Sequence, residues 1–293
     1  MMLLCQVRAL SCISLQTPSR LRGQLFLSCK SQHCRQKGAW LIKPIEFIGE
    51  ISRFAWQVVT NLFRPPLEGN QILRQVVETG YHSLPLVIMS GFALGTVMTL
   101  HTRSTLVTFG ASSMIPTVQA LAFFLEIGPL VAGLLLAGRV GSGIGAVLAN
   151  MRATEQIDGI ESLSIDSFKY LVVPRVVACV IALPLLTLFM DFSGLLGGYV
   201  SEFFSSHISF RLYISRAFSD LEWSNFIAPT LKTSVFGFII GAVSSFFGYT
   251  TDEGAQGVGK AATRSVVVSS LLIILADVIL IKLIFFAFPE NAL

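Results

Sequence analysis

Two ionisable residues, Glu126 and Arg139, lie inside a hydrophobic segment, residues 118–150, that is long enough to cross a bilayer. Charged groups at that depth are costly and mark substrate pathways, proton relays or contacts between helices. The two residues are separated by about 20 Å on a straight helix, so they cannot pair unless the helix breaks. We therefore expect Glu126 to require a partner, a cavity or a proton. Arg139 either has such a partner or extends to the nearer membrane interface.

A charged stretch, residues 151–175, follows this segment and is too polar to be buried in lipid. Arg152 lies at helical neighbour spacing from Glu155 and Gln156. The acids that form one edge of a helix here are Glu155, Asp158 and Glu161. The apolar residues of the same short helix are Ile157, Ile160 and Leu163. This combination is typical of a surface that docks onto a soluble partner, although an ordinary solvated helix would look the same.

The composition is that of a polytopic membrane protein. Hydrophobic residues make up 53% of the chain and charged residues only 13%, and the mean hydropathy is +0.71. A soluble domain contains roughly 25% charged residues. The formal net charge of +4 is small and concentrated near the N-terminus, so the composition does not indicate a nucleic-acid partner.

The first 66 residues divide into two parts. Residues 1–39 contain six basic residues, five serines and no acid, a composition expected of a transit peptide or of a basic leader that precedes the folded protein. Residues 40–66 carry polar and apolar positions on opposite sides of a predicted amphipathic helix, with Trp40 and Trp56 in or beside it. We expect this helix to lie in the membrane interface, the alternative being a soluble helix that packs on the membrane domain.

Residues 67–293 are predicted to form an all-α membrane domain with five transmembrane helices. Pro129 and several glycines predict a kinked or partly broken second span. Gly237 and Gly241 in the fourth span have the spacing that lets helices approach closely. Hydropathy places the spans near 84–101, 118–150, 176–200, 230–248 and 266–288.

The basic residues predict the orientation. With a cytoplasmic N-terminus, the cytoplasmic segments hold 15 basic residues and the opposite side holds three. The charged stretch 151–175 and the predicted loop 249–265 then face the cytoplasm, or the stroma in a plastid. Four more ionisable residues lie within spans, and we expect them to pair between helices. They are Asp191, Lys232, Asp277 and Lys282.

The sequence contains no complete motif of an enzyme active site. Residues 254–261, GAQGVGKA, resemble a P-loop, but Ala261 stands where a hydroxyl must bind magnesium, and the segment follows a membrane span rather than a buried strand. The four histidines are scattered, and Cys29, His33 and Cys34 lack a second ligand pair for zinc. We therefore predict no catalytic residues, no metal site and no cofactor in this chain, with any ATP hydrolysed by another chain.

The motifs E-x-G-P, A-G-R-x-G-S and M-R-A-T-E-Q, all within residues 125–156, resemble those of the MlaE-type permeases, the membrane subunits of ABC lipid transporters. The Pro-Arg pair before the third span and the G-x-G-x-x-x-T-R-x-V run after the fourth add to this resemblance, which covers about residues 45–288. The family includes bacterial phospholipid-transport permeases and the plastid permease that imports lipid for galactolipid synthesis.

The resemblance implies an interfacial helix followed by five spans, in a homodimer that holds lipid in an apolar cavity. Two ATPase subunits, which bind ATP and magnesium, would dock on one face, and an MCE-type substrate-binding protein on the other. Glu126 falls at the family's intramembrane glutamate and Arg139 in its A-G-R motif. Many relatives have Arg immediately before that glutamate, whereas this chain has Leu125. The residues assigned to coupling with the ATPase are Met151, Arg152, Thr154, Glu155, Gln156 and Asp158.

Two other classes stay open at this stage: a membrane scaffold that transports nothing and an intramembrane lipid-modifying enzyme. The location expected is the bacterial inner membrane, with the plastid inner envelope as the alternative that the leader composition would suit.

Overall fold

The computed structural model describes residues 49–62, 69–164, 166–219, 221, 223–251 and 254–287. All regular structure within these ranges is helical, which confirms the predicted all-α class. The predicted leader 1–39 and the outer parts of the predicted interfacial helix lie outside the described residues. Contacts separate residues 1–52 from a second unit, Arg53–Leu293, which contains every site described below.

Five helices are long and apolar enough to cross a membrane, so the predicted number of spans is confirmed. The protein is therefore a multi-pass membrane protein. In chain order the helices are α1 (residues 49–62), α2 (Gly69–Thr108), α3 (Ser112–Ala153), α4 (Gln156–Ser162), α5 (Phe168–Ser206), α6 (Phe210–Ala217), α7 (Trp223–Tyr249) and α8 (Gly254–Ala287), of which α2, α3, α5, α7 and α8 are the spans.

The spans are longer than hydropathy predicts. Helix α2 has 40 residues, a length of about 60 Å, twice the roughly 30 Å of a bilayer core. Helix α5 begins at Phe168 rather than near 176, and α8 begins at Gly254, so the predicted loop 249–265 is wrong over residues 254–265. Hydropathy finds only the apolar part of a helix. The polar first turns of α5 and α8 continue the same helices beyond that part.

Helix α3 is continuous but contains two π-helical turns, Phe123–Ile127 and Ala137–Gly141. The predicted irregularity is therefore confirmed as local widening of the helix, not as a break. Pro129 lies two residues after the end of the first π turn, and a regular helix could not accommodate its missing N–H and its ring there. A third π turn, Phe168–Val172, begins α5.

Helix α5 occupies the centre of the bundle. Of the most apolar 18-residue stretch of α5, 61% is buried within the protein, whereas the corresponding share for α8 is 17%. A Cβ on Gly95 of α2 would lie 2.0 Å from the carbonyl oxygen of Gly194 in α5. A Cβ on Gly237 of α7 would lie 2.5 Å from the carbonyl oxygen of Cys179, also in α5. Glycine at these positions lets α2 and α7 contact the α5 backbone, which confirms the close packing predicted for Gly237.

Helix α1 packs through Phe54 and Val58, which are buried, while Trp56 is exposed. The Phe54 ring contacts Phe168 of α5 at a centroid distance of 5.0 Å and Phe246 of α7 at 5.5 Å. This agrees with an amphipathic α1. Its placement in the membrane interface stays a prediction.

Candidate functional site

Glu126 is presented by the first π turn of α3 and forms an ion pair with α7. Its Oε2 lies 3.1 Å from Lys232 Nζ, which also donates to the Leu125 carbonyl at 3.2 Å. The Glu126 side chain is 39% exposed, whereas that of Lys232 is 2% exposed. Glu126 therefore has the partner expected from its depth and remains accessible from outside the bundle.

Lys232 also contacts a second carboxylate. Asp277 of α8 places Oδ1 3.0 Å from Lys232 Nζ, without the alignment of a hydrogen bond, and its side chain is 5% exposed. We call Glu126, Lys232 and Asp277 the Lys232 cluster. It joins α3, α7 and α8 and combines one cation with two anions. Lys232 and Asp277 thus pair between helices, as expected of each without a named partner, and Glu126 contacts the same Lys232 ammonium.

Arg139 does not pair with Glu126. It lies in the second π turn of α3, is exposed, and donates from Nη1 to the buried Ser83 Oγ of α2 at 3.0 Å. Both ionisable residues of the second span thus occupy π turns, which widen the helix and are frequent at functional sites. The two turns direct these residues to different neighbours, α7 and α2.

For two of the four span residues that were expected to pair between helices, Asp191 and Lys282, the prediction is wrong. Asp191 is buried in α5, and its Oδ1 has no hydrogen-bond partner among the described residues. Lys282 is exposed near the end of α8 and makes no ion pair with a described residue. Helical spacing cannot say which neighbouring helix a span residue faces, so the sequence did not separate Lys232 and Asp277 from these two.

The charged stretch begins with a sharp junction between α3 and α4. Helix α3 ends at Ala153, Thr154 Oγ1 donates to the Asn150 carbonyl at 2.8 Å, and Glu155 has φ 56°. This break corrects the predicted helical pairing of Arg152 with Glu155 or Gln156. Arg152 instead reaches across the junction to Asp158, with Nη1 to Oδ1 2.7 Å.

The first part of the predicted coupling segment 151–175, residues 151–162, presents one face to the membrane helices and the other outward. Ile157 is fully buried and Ile160 packs against the core, so the prediction that these two side chains are exposed for docking is wrong. Leu163, just beyond residue 162, is 72% exposed. Met151 is partly buried against the core, whereas Thr154, Glu155, Gln156 and Asp158 are exposed. A partner on this face would meet polar and charged side chains and Leu163.

Three polar groups fasten the end of α4 to the membrane helices. Ser167 Oγ donates to Glu161 Oε1 at 2.6 Å, and Tyr249 OH donates to the same oxygen at 3.2 Å. These hydrogen bonds, that from Ser167 first, lower the pKa of Glu161 from its ordinary value. Glu161 therefore does not contribute to a free acidic edge. It links α4 to the turn before α5 and to the last residue of α7.

A second buried polar group lies two helical turns from Glu126 on α3. Gln119 is fully buried and donates from Nε2 to the Gly95 carbonyl of α2 at 3.2 Å. Its Oε1 accepts from Thr99 Oγ1 and, at 3.2 Å, from Tyr213 OH of α6. Burial raises the pKa of Tyr213, so its hydroxyl stays protonated and donates. We call Gln119, Thr99 and Tyr213 the Gln119 cluster, which the sequence did not predict.

The P-loop-like residues 254–261 form the first turns of α8. A P-loop instead cradles phosphate in a glycine-rich loop between a strand and a helix. The structure therefore agrees with the interpretation that this resemblance is accidental.

Comparison with known proteins gives the family. Residues 72–283 match the permease family described as Permease MlaE. This chain is a member of the MlaE permease family. A probable ABC transporter permease of Rickettsia felis is 41% identical over 248 residues, 85% of this chain and 96% of the relative.

Two further relatives come from photosynthetic organisms. A probable ABC transporter permease of Synechocystis is 34% identical over 81% of this chain and 90% of its own length. The chloroplastic protein TRIGALACTOSYLDIACYLGLYCEROL 1 of Arabidopsis thaliana is 32% identical over 79% of this chain and 66% of its own length. The MlaE family and this relative connect the chain to lipid transport. The roles assigned above to individual residues stay predictions.

Proposed function

We propose that this permease moves phospholipid or a related lipid between membranes as the membrane subunit of an ABC transporter. A separate ATPase subunit, which binds ATP and magnesium, docks on residues 151–162 and drives the movement. Two copies of the chain form the lipid cavity, and an MCE-type protein delivers or receives lipid at the opposite end. The relatives support a bacterial inner membrane or a plastid inner envelope as the location.

The observation that carries this proposal is the way the coupling segment is fastened to the spans. Force on α4 reaches α3 through the Arg152–Asp158 ion pair, and reaches α5 and α7 through Glu161. Ile157 seats the helix in the core cluster that includes residues of α3, α5 and α7. A partner that moves this short helix therefore moves three spans, and ATPases can change the membrane conformation only through such a state-dependent contact.

Glu155 is the residue best suited to test the coupling role. It is exposed, its side chain makes no hydrogen bond or ion pair with a described residue, and its backbone has φ 56°. Glu155→Lys therefore reverses one surface charge without removing a hydrogen bond or an ion pair of the fold. We expect the rate of lipid transport by the complete reconstituted complex to fall at least tenfold in this variant. Its free energy of unfolding should change by about 0.5 kcal/mol or less.

Two control variants separate the possible causes. Glu155→Gly suits the positive φ and removes the side chain without adding a positive charge, so it should lose less transport than the charge reversal. Glu50→Lys makes the same reversal at an exposed position of α1, and should transport normally. Normal transport by Glu155→Lys would refute the coupling role. Wild-type permease that changes lipid chemically without an ATPase would favour a lipid-modifying enzyme, and a complex that moves no lipid would favour a scaffold.

A further inference from the structure

A cavity of about 240 Å³ lies between the first turns of α2 and the beginning of α5. It is lined by none of the residues of the Lys232 cluster. Its polar lining residues are Gln71, Arg74, Gln75, Glu78, Tyr170 and Arg175. The proposed transport function assigns no role to this cavity.

The two arginines of the cavity have unused hydrogen-bonding capacity. Among the described residues, Arg175 donates to the Leu171 carbonyl, at 3.2 Å, and weakly to Met151 Sδ, at 4.0 Å, and to no other group. Arg74 is exposed and makes no side-chain hydrogen bond or ion pair with a described residue. A guanidinium carries five N–H donors, so most of those on these two side chains are left for a ligand.

Glu78 is the acid of the cavity. It attracts Arg175 but forms no ion pair within 4.0 Å with either arginine. The three ionised side chains sum to a net charge of +1, which favours an anion. Gln71, Gln75 and Tyr170 add neutral donors around the same space. Planar guanidinium groups with neighbouring amides match the oxygens of a phosphate group.

The surface beside the cavity is apolar. A groove along α2 shares Arg74 and Glu78 with the cavity and continues past Leu73, Val77 and Tyr81. These three side chains recur every four residues and are 63%, 58% and 74% exposed. The basic cavity and the apolar stripe thus lie on neighbouring faces of the same turns of α2. An anionic head group with an attached acyl chain combines the same two kinds of chemistry.

We propose that this cavity binds a phosphate group, carried by an anionic lipid or free in solution, through Arg74 and Arg175. Arg175 also contacts Met151, the first residue of the predicted coupling segment. The site is separate from the transport pathway around Glu126, and it can be tested without measuring transport.

The test measures equilibrium binding to the purified full-length permease in detergent. One probe is dioleoyl phosphatidic acid in mixed micelles and the other is inorganic phosphate. Arg74→Gln should weaken phosphatidic acid binding about tenfold, the value of one charge-assisted hydrogen bond. Glu78→Gln removes the acid and should tighten binding. Arg264→Gln, an exposed arginine in the first turns of α8 outside the cavity, is the matched control and should bind as wild type does.

The two probes distinguish the sources of phosphate. Saturable binding of phosphatidic acid alone, with this order of variants, identifies a lipid head group. The same order with inorganic phosphate identifies a free ion. Equal affinities for Arg74→Gln and Arg264→Gln, weaker binding by Glu78→Gln, or no saturable binding of either probe would overturn the proposal.

Discussion

The Lys232 cluster and the Gln119 cluster lie on the same helix, α3, but use buried polar groups in opposite ways. The Gln119 cluster is neutral and closed, and its amide is hydrogen-bonded to α2 and α6 with no exposed surface. The Lys232 cluster is charged, holds an excess anion, and leaves Glu126 39% exposed. A closed neutral network fixes helices together, whereas an accessible charge costs energy that packing alone does not require. We therefore expect variants of the Lys232 cluster to impair transport and variants of the Gln119 cluster to lower stability alone.

Removing the cation should have the largest effect. Lys232→Ala leaves two neighbouring carboxylates without a counter-ion, one of them buried, which should cost about 3–5 kcal/mol of stability and abolish transport. Thermal unfolding in detergent and lipid transfer by the reconstituted complex measure the two effects.

A double variant separates charge burial from function in the same cluster. Lys232→Met with Asp277→Leu removes the buried pair together, so stability should return to within about 1–2 kcal/mol of wild type. Transport should stay lost because Glu126 has no cation. A double variant that transports normally would show that the cluster only holds the helices together.

Variants of the Gln119 cluster should lower stability and leave transport by the folded protein unchanged. Gln119→Leu keeps the volume but leaves Thr99, Tyr213 and the Gly95 carbonyl without this partner, which should cost about 2 kcal/mol. Tyr213→Phe removes one bond and should cost about 1 kcal/mol. Transport per folded molecule should be unchanged in both, once the folded fraction is measured by size-exclusion chromatography. A specific loss of transport in stable Gln119→Leu would erase the distinction between the clusters.

The sequence predicted what depends on composition and spacing along one helix. Five spans, the irregular α3 and the close approach at Gly237 all follow from apolar runs, Pro129 and glycine spacing, and the structure confirms them. The need of Glu126 for a partner also followed from its depth.

What the sequence could not predict depends on contacts between distant residues. Lys232 is 106 positions from Glu126, and nothing in either span indicates which face meets the other. Gln119 lies near the beginning of the predicted second span, and its position there does not indicate that its side chain contacts α2, α5 and α6. The sequence also did not show which side of α4 faces outward. Glu155, just before α4, has a left-handed backbone conformation, and the break at this residue turns Ile157 into the core.

Among the variants of the two clusters, the smallest change in stability should come from Glu126→Gln. Lys232 and Asp277 remain as a neutral pair and glutamine still accepts from Lys232, so unfolding should shift by less than about 1 kcal/mol. Transport should nevertheless fall roughly tenfold, because the accessible carboxylate is lost. Asp277→Asn is the charge-matched control: it also leaves one cation and one anion, but keeps the Glu126 carboxylate and should transport better than Glu126→Gln. Equal transport by the two variants would mean that net charge, rather than the exposed carboxylate on the π turn, is what the permease requires.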